Sequence, residues 1–270
     1  MSTAFASSLT APLKQSIVAA FIALVSNAGL AQVTDLEDAV YKSARQAMLT
    51  ERISKAYLSQ TLNVEGPTAK RITAESVAQF DRHLIELKVF APTAEIKASL
   101  AQIETRWTAF KEQAVGTAPS LSSARRVLEL DAELVRLAIG NAQQFQKRST
   151  TQKTNQIFIA ESEAMLSQRV AMLYFATLLE ITPTNTLADM NKARDEFLLN
   201  MKTMRESRTL PATIMSKITV ADSQWAFLDK AIANRGDAKN RIALGANAFK
   251  ASERVLEVLD DIALTLDKMK

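Results

Sequence analysis

The chain has 270 residues, enough for one large or two ordinary domains, and its 47% hydrophobic and 23% charged residues are an ordinary globular balance. With no cysteine it excludes zinc–thiolate sites, redox dithiols and cysteine nucleophiles. The formal charge of +4 is scattered, and two Trp and three Tyr offer little base stacking, so nucleic-acid binding is not expected. Gly and Pro are few, at six each, and good helix formers fill most positions, which predicts an all-α protein.

At the N-terminus Lys14 is the only charge before Asp35, and Ser16 to Val25 forms an apolar segment. Gly29-Leu30-Ala31 then offers small residues at a cleavage site. The pattern predicts a secretory signal peptide over residues 1–31, cleaved after Ala31, and a periplasmic or secreted mature protein. An uncleaved anchor in the inner membrane is the rival, but the apolar stretch is short of the ~20 residues a span needs.

Turn signals then divide the chain. Asn63 to Thr68, Phe90 to Thr93 and Gly116 to Ser120 close three helices. Ile181 to Asn185, Thr209 to Pro211 and Asn234 to Asp237 repeat those breaks about 117 residues later. Each half reads as four helices with short loops, hence an up-down four-helix bundle, with modules at 32–148 and 149–270. Arg148-Ser149-Thr150-Thr151 is a weaker break, and because residues 148–154 lack Gly and Pro one long helix running through both bundles is an equal alternative.

The first helix of each half carries a repeated stretch. Ala47-Met48-Leu49-Thr50-Glu51-Arg52-Ile53 reappears as Ala164-Met165-Leu166-Ser167-Gln168-Arg169-Val170, and Tyr57 reappears as Tyr174, all at an offset of 117. Such self-similarity points to duplication. Other echoes agree: Trp107 and Phe110 against Trp225 and Phe227, and Arg126-Val127-Leu128-Glu129 against Arg254-Val255-Leu256-Glu257.

On a helix, Val33, Leu36, Val40, Ala47, Ser54 and Leu58 share one stripe, while Met48, Leu49 and Ile53 face away. Apolar residues on two faces predict burial on two sides, against the helix's own bundle and against a second bundle or subunit. Arg, Glu or Gln, and Thr or Ser converge at matching positions in both copies. A buried Arg needs an anion or a carboxylate. Glu51 is a candidate carboxylate if it reaches across helices, whereas copy two has neutral Gln168, which leaves Arg169 freer for an external anion. The candidate ligand-binding residues are therefore Arg45, Thr50, Glu51 and Arg52 in copy one and Ser167, Gln168 and Arg169 in copy two.

These residues resemble the first-helix signature of the type IV pilus methyl-accepting chemotaxis transducer N-terminal (PilJ-like) domain, approximately Ala-Gly-Arg-Gln-Arg-Met-Leu-Ser-Gln-Arg, which is related to nitrate/nitrite sensor domains. Arg45, Gln46, Met48, Leu49 and Arg52 match in copy one; Ala160, Met165, Leu166, Ser167, Gln168 and Arg169 match in copy two. The resemblance implies an extracytoplasmic helical sensor domain. In the nitrate sensors the Arg immediately before Met reads nitrate at a two-fold dimer interface. Here Ala47 and Ala164 stand there, so the resemblance does not carry over a nitrate site of that design. The transducers also have a second membrane helix and cytoplasmic signalling parts; neither precedes Lys270, so a membrane-bound signalling partner is expected.

Enzymatic and metal chemistry find little support. His83 is the only histidine, too few for a di-iron bundle site or a well-ligated zinc, and it reads as a surface or capping residue. No glycine pattern for a nucleophile elbow or a phosphate loop occurs. Arg235-Gly236-Asp237 reads as a turn, and Ala251-Ser252-Glu253-Arg254 as an exposed helix face. The expectation is a non-enzymatic protein with no cofactor and no metal. It would bind a small anion or polar ligand near the motif and act on a membrane partner, or self-associate through the motif helices. The rival is a structural or adaptor protein with a protein partner and no small ligand.

Overall fold

A computed structural model of the chain describes residues 32–149, 151–181 and 185–269. Residues 1–31, where the sequence pattern predicts a signal peptide, lie outside the described residues. Val33–Lys270 forms one compact unit. The described residues form eight α-helices and one short 3-10 turn, with no strand: α1 Leu36–Thr61, α2 Gly66–Phe90, α3 Ala94–Gly116, α4 Leu121–Gln146, α5 Gln152–Leu178, α6 Thr186–Glu206, α7 Ala212–Ala233, the turn Ala238–Asn240, and α8 Arg241–Lys268. The chain is all-α, and its helix breaks fall at the turn signals of the sequence.

Several starts are capped by side chains that satisfy otherwise orphaned amides. Asp35, Thr93, Ser120 and Thr151 accept from the backbone N–H of Asp38, Ile96, Ser123 and Thr154. The cap at Thr151 explains why α4 and α5 are separate helices rather than one long rod. The Ser149 hydroxyl lies 2.6 Å from Thr154 Oγ1, and Thr151 Oγ1 donates to Glu37 Oε1 at 2.8 Å. Meanwhile the amides of Lys147, Arg148 and Ser149 turn back to Gln143, Phe145 and Gln146. Hydroxyl side chains offer the backbone an alternative to the helical ladder, so no Gly or Pro is required to end it.

Helix α1 packs against α2, α4 and α5, and its contact with α5 is the most extensive between any two helices among the described residues. α3 packs on α4. In the second half α5 packs on α6 and α8, and α7 packs on α8. Between Asp38 and Ser59 of α1 every residue is buried except Arg52, which is half-buried. Met48, Leu49 and Ile53 are as inaccessible as Ala47 and Leu58, the arrangement expected of a helix with apolar residues on two faces. One continuous apolar core draws residues from all eight helices.

The duplication reappears in the packing. Trp107 of α3 stacks on Phe80 of α2, and Trp225 of α7 stacks on Phe197 of α6, both with ring centroids 3.8 Å apart. The echo then lapses. Phe110, three residues after its Trp, is buried beside it at 5.9 Å, whereas Phe227, two residues after its Trp, is 61% exposed. One residue of spacing rotates a helical side chain by roughly 100°.

Candidate functional site

The two motif helices, α1 and α5, bury their polar residues against each other and against α8. Thr50 and Ser167 turn their hydroxyls back to their own helices, donating to Gln46 O at 2.8 Å and Ala164 O at 2.7 Å. In those positions they satisfy themselves and leave no donor for a ligand.

Both arginines face carboxylates. The Arg52 guanidinium forks onto Glu253 of α8, with Nε 3.2 Å from both carboxylate oxygens and Nη2 2.5 Å from Oε2. Lys55, one turn further along α1, reaches the same carboxylate at 2.5 Å and also donates to Gln168 Oε1 at 2.6 Å and Ser252 Oγ at 3.0 Å. Its ammonium lies over the Phe249 ring at 4.7 Å. Burial pushes the Lys55 ammonium down to about 8, against the pull of Glu253. Burial alone would raise Glu253, but Lys55 and Arg52 prevail and hold its carboxyl at about 2. The segment Ala251 to Arg254 is therefore not an exposed face along its whole length: Ala251 and Ser252 are buried and Glu253 points into the interior cluster. A helix buried on one side presents every third or fourth residue inward, and an acidic residue stays there when two cations meet it.

Arg169 of α5 donates from Nε to Glu51 Oε1 of α1 at 2.7 Å. Glu51 thus reaches the arginine of the other copy, not its own helix, and supplies the anion that Gln168 cannot. Gln168 instead donates to Ser252 O at 3.0 Å. Asp131 of α4 stands nearby, 3% exposed, and accepts from Ser54 Oγ at 2.7 Å. Burial raises both carboxyls, and Glu51 raises Asp131 further by like-charge repulsion, while Arg169 pulls both down. Two buried carboxylates facing one guanidinium hold a proton more readily than either would alone.

A third cluster closes the other end of the helix pair. Arg45 Nη1 meets Glu161 Oε1 of α5 at 3.1 Å and also Asp260 of α8, and its guanidinium lies 5.5 Å from the Tyr41 ring centroid. Burial pushes the Glu161 carboxyl up to about 7, with Arg45 opposing and Asp260 assisting. His83, read from the sequence as a surface or capping residue, is 5% exposed beside Tyr41, with ring centroids 6.4 Å apart. Burial, with Arg45 and Lys42 nearby, pushes it down to about 3, so it is neutral at pH 7. It faces inward because α2 turns that side toward α1. Among the described residues no group of three metal-ligating side chains occurs, and no helix is long and apolar enough to cross a membrane.

Of the motif residues in these clusters, Arg169 lines an open cleft, of about 320 Å³, between α4, α5 and α6. Asp131, Asp189, Lys192 and Glu196 also line it. Nε of Arg169 is held by Glu51, while its terminal nitrogens donate to no acceptor among the described residues. Arg45, Glu51, Arg52 and Gln168 are enclosed between helices. Sequence reasoning missed Lys55, Asp131, Glu161, Glu253 and Asp260. The usable signal was the charge of Lys55 and Glu161 inside helices whose neighbours are apolar on both faces. Nothing local marks Asp131, Glu253 or Asp260, each of which lies far along the chain from its partner.

Comparison with models of known families, with curated proteins and with solved structures finds no match.

Proposed function

We propose that this chain is a non-enzymatic, exported helical protein of the sensor type, built from two up-down four-helix modules, 32–148 and 149–270. It binds a small polar ligand in the cleft beside Arg169 and acts on a membrane-bound partner. The observation that carries the reading is Arg169 itself: a motif arginine positioned by Glu51, with its terminal nitrogens free at a cleft. Two cations, Arg169 and Lys192, and three carboxylates, Asp131, Asp189 and Glu196, share the lining. That mixture favours a ligand bearing both charges, such as an amino acid, over nitrate. The motif resemblance to the PilJ-like domains supports an extracytoplasmic setting. The pairing of α1 with α5 supports one chain imitating the two-fold contact of a sensor dimer.

The adaptor reading, a helical protein with a protein partner and no small ligand, has its own support. Arg52 and Arg45 are closed off by carboxylates of the other half, and these pairs serve to clamp the halves together. Thermal unfolding in the presence of glycine, glutamate, lysine, nitrate and nitrite separates the two. A sensor gains melting temperature with at least one amino acid, and Lys192→Ala or Glu196→Gln removes the gain. Failure of every compound to shift the transition would leave the adaptor reading in place.

A further inference from the structure

A second cleft, of about 330 Å³, lies between α7 and α8, and its chemistry differs from the first. Phe227, Lys230 and Ala231 line it from α7; their spacing of i, i+3 and i+4 puts them on one face. Leu244, Lys250 and Arg254 line it from α8. Three cations surround it and no carboxylate lines it. Lys250 shares its charge with Glu65 at 2.9 Å, but the side chains of Lys230 and Arg254 have no hydrogen-bond or ion-pair partner among the described residues. The floor is apolar, with Ala231 4% exposed and Leu244 half-buried, and the 61%-exposed Phe227 ring stands at the rim.

The first half shows the same four residues in another setting. Arg126-Val127-Leu128-Glu129 is identical to Arg254-Val255-Leu256-Glu257. There Arg126 folds onto Glu129 at 2.9 Å, while Arg254 leaves Glu257 and stands at the cleft. Likewise Phe110 is in the core while its echo, Phe227, is outside. An isolated exposed Phe or an unpaired surface Arg is ordinary by itself. Their convergence on one concave, acid-free patch is a distinct feature, and its volume is at the lower end for small-molecule sites.

We infer that the α7–α8 cleft binds a small amphipathic organic anion, an aromatic or short alkyl group ending in a carboxylate or phosphate. The apolar part lies on Ala231, Leu244 and the Phe227 ring, and the anionic end meets Lys230 and Arg254. The site is separate from the Arg169 cleft and does not depend on that proposal.

The test is titration of the whole protein with phenyl phosphate and benzoate, followed by calorimetry and by NMR shifts of α7 and α8 amides, with benzylamine and inorganic phosphate as controls. Phenyl phosphate and benzoate should bind, benzylamine should not, and inorganic phosphate should bind more weakly than phenyl phosphate. The double variant Lys230→Glu/Arg254→Glu should weaken phenyl phosphate by about tenfold or more, as expected when two facing charges are reversed. Phe227→Ala should weaken phenyl phosphate but not inorganic phosphate. Lys192→Ala, in the other cleft, should change neither. All these positions are exposed, and an unchanged circular dichroism melt checks that each variant folds. The inference is overturned if neither organic anion binds, if benzylamine binds equally well, or if the charge-reversed protein binds phenyl phosphate as before. It is overturned too if Phe227→Ala abolishes a self-association seen by sedimentation while leaving anion binding intact.

Discussion

Arg52 and Arg169 occupy the same place in two copies of one motif, yet they end in different surroundings. Arg52 shares a carboxylate of α8 with a fully buried lysine, and Glu253 serves both cations. Arg169 has one carboxylate to itself, Glu51, with the Ser54-bonded Asp131 nearby, and faces a cleft. Two substitutions between the copies account for the divergence. Glu51 corresponds to Gln168, and Lys55 corresponds to Met172. The surplus of cations on one side and of carboxylates on the other is the consequence. A duplicated helix can therefore keep its arginine and its backbone position while the charge around it reverses.

The sharpest break in this comparison is Glu253→Ala. It strands Arg52 and the buried Lys55 without an anion, and it should lower stability by about 3–5 kcal/mol, measured by urea unfolding at pH 7. Lys55→Met, which restores the residue of copy two, should cost far less, because Glu253 keeps Arg52. A Lys55→Met loss as large as that of Glu253→Ala would mean that the lysine, not the carboxylate, organises the cluster. Arg169→Ala should cost about 2–3 kcal/mol, less than Glu253→Ala because Glu51 and Asp131 can neutralise by protonation. Glu51→Gln, which makes copy one resemble copy two, should stay within about 1 kcal/mol, since burial already raises the Glu51 carboxyl and the amide oxygen can still accept from Arg169 Nε.

The clusters should also respond to pH in opposite senses. Glu253 is held at about 2, below its ordinary 4.5, so the folded protein binds fewer protons than the unfolded chain between those values. Its contribution is complete above about pH 4.5 and is lost as pH falls toward 2. Glu161 is raised to about 7 from 4.5, so the folded state binds more protons across that window, and stability falls as pH rises through it. His83, held at about 3 from 6.5, offsets Glu161 below pH 6.5, so chemical denaturation from pH 3 to 8 should show a rising lower limb and a falling upper limb confined to about pH 6.5–7. Glu161→Gln should flatten the upper limb and leave the lower one; an unchanged upper limb would show that Glu161 does not hold its proton there.

The smallest contrast concerns two helical glycines. Gly140 in α4 has open space where a Cβ would stand, so Gly140→Ala should stabilise by about 0.5–1 kcal/mol in thermal unfolding. At Gly245 in α8 a Cβ would lie 3.3 Å from Val64 Cγ2 and 3.5 Å from Phe175 Cε1. There the same change should give less, or destabilise, because α8 approaches the loop after α1 closely.

Much of the fold was legible in local patterns. Pro92 and Pro119 stand in the breaks between helices and Pro67 opens the first turn of α2, because proline lacks the amide donor that a helix interior needs but a first turn does not. The separation of α4 from α5 was only half legible: Arg148 to Thr151 is a weak break by itself, and its outcome depends on Ser149 and Thr151 finding Thr154 and Glu37, the last from α1. The arginines of the candidate site were visible through the repeat, but their partners were not. Glu51 and Arg169 are 118 positions apart, and Arg52 and Glu253 are 201 apart. Glu253 and His83 were misplaced at the surface for the same reason. A polar residue on a helix carries no local mark of which neighbour its face will meet.

By itself the sequence determined that this chain is helical, where its helices break, and that one motif occurs twice. Those follow from propensity, from turn chemistry and from direct repetition. Tertiary structure alone decided which carboxylate each arginine meets, which of the two is left at a cleft, and why Phe110 is enclosed and Phe227 is not. Such outcomes depend on how α1, α5 and α8 are rotated and set against one another. That is fixed by the whole core at once, so substitutions as small as Glu51 for Gln168 and Lys55 for Met172 could reassign the partners of an unchanged arginine.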